Sequence, residues 1–409
     1  MNIKKPELLA PAGSLNKLKY AIMYGADAVY IGGEEFSLRV AAQNFSMEEI
    51  KEGIEFAHNR GKKVYITANI IPHNEDLKDF PDFVKEVNEL GADGIIVSDL
   101  GTFSIVKEVA PDLEVHISTQ ANNTNFKSAQ MWYKLGAKRI ILARDLSFDE
   151  IREIKENLPA DCEIETFVHG AMCISYSGRC LMSNFLTYRD ANKGACAHPC
   201  RWKYYLMEEK RPGEYMPVFE NERGTFIYNS KDLCMIRHIP ELVKSGIDSF
   251  KIEGRVKNEL YVATVVKSYR KAIDQYFADP DNYVFDESIS TELEKVSHRE
   301  YTSGFFFGKP DGNQQLYTSN TYIQDYTIIG VVKEYDDKTG FAYLEQRNRF
   351  FKGDNLEVIT PEGNDFSFVA DEMYNDNGEL IDVARHAQMI IKIKMDKVPE
   401  YSIIRKKVN

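Results

Sequence analysis

The cysteines are the residues of this sequence whose type and spacing most clearly point to chemistry. Five of the six, Cys173, Cys180, Cys196, Cys200 and Cys234, follow the pattern C-x6-C-x15-C-x3-C-x33-C and so occupy about a sixth of the 409 residues. Thiols that serve only as small core hydrophobes would be scattered along the chain. Thiolates are soft ligands that select zinc, copper(I) or iron–sulfur clusters. The clustering therefore predicts a metal site.

The spacing also bears on which metal is bound. Structural zinc sites usually contain paired knuckles of regular spacing, and only the step from Cys196 to Cys200 resembles one. The wide step from Cys173 to Cys180 favours an iron–sulfur cluster wrapped by an irregular loop. Two simpler interpretations stand beside it, a group of reduced, inert cysteines and a disulfide pair. A disulfide is disfavoured, because residues 1–30 show no basic segment followed by an apolar one that would export the chain to an oxidising compartment.

Composition limits the classes of partner. The net charge of −12 repels polyanions in general, so any contact with nucleic acid must come from local basic patches. Residues 347–352, which interleave basic and aromatic side chains, and the basic stretch 405–407 are two such patches, although solvated strand edges and a charged tail explain them equally well. No run of 18 or more apolar residues occurs, so we expect no contact with a membrane and a cytoplasmic protein.

A recurring pattern organises the first 250 residues. A glycine, a small residue and a short apolar run follow one another at 25–30, 91–96, 136–141 and 246–251, which is typical of a helix that ends in glycine and leads into a buried parallel strand. Eight apolar segments alternate with amphipathic helical stretches, and we predict strands at 7–10, 28–31, 63–68, 94–97, 114–118, 139–143, 163–168 and 249–252. One of the helices expected between these strands begins at Ser46, where Glu49 completes a capping box.

Eight strand–helix units predict an α/β fold, a (β/α)8 TIM-like barrel, over residues 1–285. A doubly wound open sheet is the alternative, weakened because no G-x-G-x-x-G motif follows the first strand. A cysteine-rich insertion at 170–231 follows the seventh strand, with strands expected at 203–207, 215–219 and 225–228 and a helix near 232–243. Beyond a helix at 259–277, we expect a connecting segment at 286–322 and a small antiparallel β-barrel at 323–409.

Polar residues at the carboxyl ends of the predicted strands define a candidate ligand site, because a barrel of this kind keeps its chemistry on that face. They are Asn69, Ser98, Ser118, Thr119, Gln120, Asn122, Arg144, His169, Glu253 and Arg255. Arg144 and Arg255 can hold a carboxylate or phosphate bidentately, and Arg39 can join them from the second loop. With Gln120 and Asn122 they predict a pocket for a small anionic ligand.

Two titratable residues are candidates for catalysis. His169 is suited to proton transfer near neutral pH, to ligation or to a supporting role behind a ligand. Glu253 is suited to general acid or base chemistry, or to an ion pair with Arg255. Protease signatures of the H-E-x-x-H and G-x-S-x-G types are missing from the sequence.

Several motifs resemble one known family. The segment 165–183, which contains Glu-Thr-Phe-Val-His-Gly-Ala-Met-Cys, closely resembles the signature of the collagenase-like peptidase family of unknown catalytic type, class U number thirty-two. Further similar motifs lie at 8–13, 116–122, 251–255 and 298–305. The resemblance spans nearly the whole chain. Within the family, the C-terminal module and residues 196–204 are most similar to the branch of tRNA hydroxylation proteins.

That resemblance implies oxygen-independent hydroxylation, in which prephenate donates the hydroxyl group and the wobble uridine of certain tRNAs becomes 5-hydroxyuridine. Relatives act on ribosomal RNA or ubiquinone precursors and carry a four-iron (4Fe–4S) cluster. By resemblance, Cys173, Cys180 and Cys196 are cluster ligands, and the fourth is Cys234, favoured because it opens the next predicted helix, or alternatively Cys200. Prephenate is a small dicarboxylate, which suits the arginines.

The sequence is also compatible with two other functions and with further partners. The C-terminal module resembles the second domain of translation elongation factors, where contact with tRNA is natural. A collagenase-like peptidase, metal-dependent or atypical, is the alternative enzyme. A catalytically silent cluster or zinc protein that serves as a partner subunit is a third reading, and accessory proteins would fit any of the three.

Overall fold

The structure is a computed structural model that describes residues 4–38, 44–173, 175–202, 206–207, 215–216, 230–308 and 322–408. Several sequence predictions lie wholly or partly outside these ranges: Arg39 as an anion ligand, the strand at 225–228, most of the strands at 203–207 and 215–219, and part of the connecting segment at 286–322. Within the described ranges, no helix is both long and apolar enough to cross a membrane.

The N-terminal part of the chain is built on a closed sheet. The described strands of this N-terminal part are β1 (Glu7–Pro11), β2 (Ala28–Gly32), β3 (Lys63–Ala68), β4 (Gly94–Val97), β5 (Glu114–Ile117), β6 (Arg139–Ile141), β7 (Glu163–Ala171), β8 (Leu206–Met207), β9 (Tyr215–Met216), β10 (Asp232–Cys234), β11 (Ser249–Ile252) and β12 (Tyr301–Thr302). Among these described strands, β8 and β9 pair only with each other. Strands β1 to β7 pair in parallel in sequence order, and β11 closes the cylinder by pairing in parallel with both β1 and β7. The predicted eight-stranded barrel is confirmed.

Helices cover the outside of the barrel and continue beyond it. They are α1 (Leu15–Met23), α2 (Met47–His58), α3 (Phe80–Glu89), α4 (Leu100–Val109), α5 (Phe126–Leu135), α6 (Phe148–Glu156), α7 (Met182–Thr187), α8 (Ile239–Lys244), α9 (Glu259–Ala278) and α10 (Glu287–Glu294). Helix α2 begins with the predicted capping box of Ser46 and Glu49. The glycines of the four predicted helix-to-strand joints all adopt the positive φ that ends a helix cheaply.

The insertion after β7 departs from the sequence prediction at its far end. Strand β7 runs three residues beyond the predicted end, because β10 pairs with it antiparallel and opposes Cys234 to His169. The prediction of a helix near 232–243 is therefore wrong for its first half, since the backbone of Asp232 to Cys234 is used in this pairing. The helix itself is confined to α8, and a 3-10 turn at Ile236–His238 precedes it.

The C-terminal part is an antiparallel sheet with its own core. Its strands are β13 (Tyr326–Asp336), β14 (Phe341–Gln346), β15 (Phe350–Phe351), β16 (Asn355–Ile359), β17 (Phe366–Val369), β18 (Met373–Tyr374), β19 (Val383–Ala384), β20 (Ile390–Lys394) and β21 (Ile403–Lys407). Seven of them pair in the order β17-β16-β21-β13-β14-β20-β18, and β15 pairs with β19. The predicted antiparallel module is confirmed. Helix α10, which the sequence analysis treated as connecting segment, packs Ile289 and Leu293 inward.

Buried polar contacts fix the C-terminal sheet against the barrel. The hydroxyl of Tyr24, at the end of α1, lies 2.9 Å from the carbonyl oxygen of Ile359 and 3.0 Å from that of Tyr401. The guanidinium of Arg405 contacts the carboxylates of Glu292 (2.7 Å) and Glu357 (2.8 Å). Contacts of this kind hold two modules in one orientation, since a buried acceptor or charge that lost its partner would be costly.

We predict that Tyr24→Phe destabilises the protein by about 1–3 kcal/mol, because the buried carbonyl oxygens at the module interface lose their donor. The free energy of unfolding from urea titration measures the effect. The matched control is Tyr133→Phe, which removes a hydroxyl bonded to Asp161 at the exposed surface. Equal stability of the two variants would contradict this account of the interface.

Candidate functional site

A cavity of about 160 Å³ opens at the carboxyl ends of the barrel strands. Strand ends supply its wall and floor, and the loop after β7 covers it. The wall and floor residues that bear on the chemistry are Tyr30, Thr67, Asn69, Ser118, Gln120, Arg144, Phe167, Lys251, Glu253 and Arg255. The cavity therefore lies at the face where a barrel of this kind positions its active site.

A buried ion network forms the floor. The ammonium of Lys251 lies 2.7 Å from the carboxylate of Glu165, which also contacts Arg139 at 3.0 Å. Arg139 in turn contacts Glu7 at 2.6 Å and Glu163 at 2.7 Å. Burial alone would raise the pKa of Glu165, but the charges of Lys251 and Arg139 lower it to about 2. Glu165 is thus a fixed negative charge inside the barrel.

Lys251 is a cavity residue that the sequence analysis missed. Burial lowers the pKa of its ammonium group, while the carboxylate of Glu165 opposes that shift. The nitrogen also lies 4.4 Å from the ring centre of Tyr30, in cation–π contact. A signal was available in the sequence, since a lysine inside a four-residue buried strand needs a buried partner.

Two arginines line the cavity, Arg144 after β6 and Arg255 after β11. Arg144 donates to the carbonyl oxygen of Ala171 at 2.6 Å and to Glu253 at 3.2 Å, and it stacks on the ring of Phe167 at 3.7 Å. Arg255 is 4% exposed and donates to the hydroxyls of Ser37 at 2.8 Å and Thr67 at 3.0 Å. Both guanidinium groups are held in place before any ligand arrives, which lowers the entropic cost of binding an anion.

Glu253 follows a bulge that re-aims the strand end. The register of β11 against β7 shifts between Lys251 and Ile252. The backbone of Glu253 then passes so close to Gly170 that a Cβ on the glycine would lie 2.7 Å from the carbonyl oxygen of Glu253. Gly170 also has a φ of +107°. A glycine is therefore required at the point where the two strands bring Glu253 to Arg144.

Four of the five clustered cysteines meet above this floor. Cys173, Cys180, Cys196 and Cys200 all line the cavity, and all six cysteines of the chain are free thiols. Burial raises the pKa of the Cys200 thiol, and the other three thiols of the group raise it further because like charges would lie close together. The backbone N–H of His198 donates to the sulfur of Cys196 at 3.3 Å.

Cys234 lies apart from this group. It does not line the cavity, and it packs against the hydrophobic core of the barrel. Burial raises the pKa of its thiol to about 11, and Tyr269 and Arg237 only partly oppose that effect. The arrangement thus favours the alternative fourth ligand, Cys200, over Cys234, which the sequence analysis preferred. The preference rested on a helix start at residue 234, where the structure has a strand.

The chemistry of the four thiols limits the kinds of metal centre that they fit. Within the described ranges, no three His, Cys, Asp or Glu side chains are drawn closely enough together to hold a single metal ion. The four thiols instead surround a cavity, and they are soft donors without an oxygen ligand among them. Soft thiolate donors are the ligands that zinc and iron–sulfur clusters take.

The remaining predicted site residues divide into two groups. Gln120 lines the cavity, whereas Asn122, in a left-handed conformation, does not. His169 is 1% exposed and lies outside the cavity among the rings of Tyr261, Tyr269 and Tyr301, at 5.5–6.0 Å. Burial lowers the pKa of His169 to about 3, so it is neutral at physiological pH. Its position is that of a core residue behind the site.

Comparison with known proteins agrees with this architecture. A model of peptidase family U32 matches residues 13–316, and a model of the family's C-terminal domain matches residues 324–405. The chain belongs to peptidase family U32. The resemblance inferred from the motifs is confirmed.

Curated relatives in this family cover most of the chain. The tRNA hydroxylation protein P1 of Bacillus subtilis is 46% identical over 394 residues, which cover 96% of this chain and 93% of the relative. The tRNA hydroxylation protein P of Escherichia coli is 41% identical and covers 93% of this chain and 91% of its own length. A 23S rRNA 5-hydroxycytidine synthase of Escherichia coli is 34% identical over 86% of this chain and 52% of the relative.

We predict that Glu165→Gln destabilises the barrel by roughly 3 kcal/mol, because it leaves the buried ammonium of Lys251 without its carboxylate partner and removes one of the three carboxylates that contact Arg139. Urea unfolding at neutral pH gives the value. Glu89→Gln is the control, since Glu89 pairs with Lys85 at the exposed surface and should change stability by less than about 1 kcal/mol. An unchanged unfolding free energy in Glu165→Gln would show that the floor network does not support the barrel.

Proposed function

We propose that this protein hydroxylates the wobble uridine of tRNA to 5-hydroxyuridine without molecular oxygen. Prephenate is the proposed hydroxyl donor, and a 4Fe–4S cluster held by Cys173, Cys180, Cys196 and Cys200 is the proposed cofactor. One observation carries the proposal: four thiols of the loop after β7, the buried Arg255 and the partly buried Arg144 line the same cavity at the mouth of the barrel.

The names of the relatives supply the reaction class. Two relatives that cover over nine-tenths of this chain are called tRNA hydroxylation proteins, and a third is named for 5-hydroxycytidine in ribosomal RNA. Hydroxylation of RNA is common to these names. A tRNA substrate and reduced thiols both point to the cytoplasm as the compartment.

A cluster of this kind, when bound, supplies a redox-active iron centre whose properties depend on charge, hydrogen bonds and solvent exposure around its sulfurs. The chain contributes to each of these. Three of the four thiols are partly buried, the N–H of His198 donates to the sulfur of Cys196, and Arg201 places a positive charge beside Cys200.

The rest of the cavity is suited to a dicarboxylate with a six-membered ring. Arg144 and Arg255 are the two carboxylate-binding groups, and Tyr30 and Phe167 provide flat apolar surface beside them. Two buried atoms of lining residues, the Nε of Arg144 and the Oδ1 of Asn69, have no hydrogen-bond partner among the described residues. Buried polar atoms of this kind are normally satisfied, so a bound ligand is a natural partner for them.

Each residue has a distinct part in holding the donor. Glu253 and the carbonyl oxygen of Ala171 orient Arg144, and Ser37 and Thr67 orient Arg255. The ammonium of Lys251 lines the floor of the cavity, where the carboxylate of Glu165 compensates its charge. The peptidase alternative is supported by the family name alone.

We predict that deletion of the gene removes 5-hydroxyuridine and its derivatives from total tRNA, and that the wild-type gene restores them. Mass spectrometry of tRNA nucleosides measures the product directly. Arg255→Lys should restore less than about one-tenth of the product, because a lysine cannot reproduce two guanidinium hydrogen bonds to a carboxylate. An unchanged level of 5-hydroxyuridine in the deletion strain would overturn the proposed function.

We predict that Cys200→Ala loses most of its iron and acid-labile sulfide, whereas Cys234→Ala retains both. The reason is that only the former thiol faces the cavity. Iron and sulfide are measured in protein purified without oxygen. The matched control is Cys162→Ala, a buried cysteine outside the loop. Loss of iron in Cys234→Ala and retention in Cys200→Ala would reverse the assignment of the fourth ligand.

A further inference from the structure

The loop after β7 exposes an unusual number of aromatic side chains. Tyr176, Phe185, Tyr188 and Trp202, here called the aromatic rim, are 49%, 84%, 93% and 43% exposed. Leu181 and Leu186 lie in the same stretch and are 66% and 42% exposed. Scattered apolar residues on a surface need no explanation, but a contiguous exposed group marks an interaction site.

Internal hydrogen bonds hold the rim in shape. The buried hydroxyl of Ser183 donates to the carbonyl oxygen of Arg189 at 2.7 Å and accepts from the N–H of Ala197 at 2.9 Å. Tyr188 has a φ of +57°, a conformation that is uncommon for a bulky residue, and its N–H donates to the carbonyl oxygen of Asn184 at 2.8 Å. The exposed ring of Tyr188 is thus displayed by an ordered turn.

The rim borders the candidate active site. Tyr176 lines the cavity itself, and the same loop carries the thiols of Cys180 and Cys196. Helix α7, which carries Phe185, packs beside the 3-10 turn that precedes Trp202. An RNA strand that places one nucleotide in the cavity would therefore bring the neighbouring nucleotides to the aromatic rim.

The charge of this loop is opposite to that of the whole chain. Residues 173–202 contain four basic residues and one acidic residue, in a protein with a net charge of −12. Arg179 and Arg189 are exposed, and neither forms an ion pair with a carboxylate of the described residues. The basic patches noted in the C-terminal sequence differ, because Arg347, Arg405 and Lys406 there contact carboxylates. Arg179 and Arg189 thus place positive charge without a carboxylate partner among the described residues on the loop that carries the rim.

We propose that the aromatic rim binds the unpaired bases on either side of the target nucleotide, by stacking, while Arg179 and Arg189 contact the phosphates between them. This inference rests on the proposed function, since the target is taken to be a base in a tRNA loop. Single-stranded RNA is recognised by stacking of splayed bases on aromatic rings, and phosphates are contacted by arginines. A protein partner would find two uncompensated arginines within its apolar contact surface, which is costly.

Binding is tested without turnover, by fluorescence anisotropy of a labelled RNA hairpin with a uridine-containing single-stranded loop. Phe185→Ala and Tyr188→Ala should each weaken binding about 5- to 100-fold, as expected for loss of one stacked base. A hairpin whose loop is closed by base pairs should bind weakly to wild type and be affected little by either variant. Arg179→Gln and Arg189→Gln should each lower the slope of log affinity against log salt by about one.

The matched control is Phe351→Ala, which removes an aromatic ring of 43% exposure from the basic patch of the C-terminal module. It should bind the hairpin as wild type does. Equal iron content and unfolding midpoint in all variants exclude misfolding as the cause of any loss. Wild-type affinity in Phe185→Ala and Tyr188→Ala, or a loss confined to Phe351→Ala, would overturn the inference.

Two further measurements separate this inference from the proposed function. If wild type forms 5-hydroxyuridine but the rim variants bind and modify tRNA normally, the inference fails and the function stands. If wild type forms no 5-hydroxyuridine yet binds the hairpin through the rim, the function fails and the RNA surface stands. Light scattering identifies the competing occupant, because a rim that joins two copies of the chain would give a dimer that the alanine variants dissociate.

Discussion

The closure of the barrel by β11 is the constraint on which the rest of the structure depends. This strand pairs with β1 on one side and β7 on the other, and it carries Lys251 into a buried ion pair with Glu165. Pairing fixes the register of the backbone, and the ion pair resists any slip because a shifted strand would leave a buried charge without its partner. Glu253 and Arg255 follow directly, so their positions are set by the same closure.

The pairing of β10 with β7 positions the cysteine loop at the mouth of the barrel. Strand β7 continues past the barrel, and β10 returns along it in the antiparallel sense. The loop between them must begin and end at the mouth, which brings its thiols over the arginines. Arg144 links the start of the cysteine loop to the residues that follow β11. It donates to the carbonyl oxygen of Ala171 at the end of β7 and to Glu253 after β11. The proposed cofactor site and the proposed anion site are thus positioned by the same strands.

The sequence specified the barrel well because each strand is an apolar run and four of the eight follow a helix-ending glycine, and both signals are local. Polar residues after buried strands are easily seen, and Arg144, Arg255 and Gln120 line the cavity as the sequence analysis expected of strand-end residues. The surroundings of Cys234 and His169 could not be read from the sequence, because they are set by a long-range pairing between β7 and β10 that no local pattern encodes. Lys251 was overlooked for a related reason, because its partner Glu165 lies on a strand 86 residues away.

We propose that four thiols of one loop hold a single iron–sulfur cluster beside an anion pocket. The most direct measurement is a crystal structure of protein prepared without oxygen, with an anomalous difference map collected at the iron absorption edge. The account predicts one compact anomalous peak bounded by the sulfurs of Cys173, Cys180, Cys196 and Cys200. A peak bound by Cys234 in place of Cys200, or a fully ordered loop with no iron between these thiols, would contradict it.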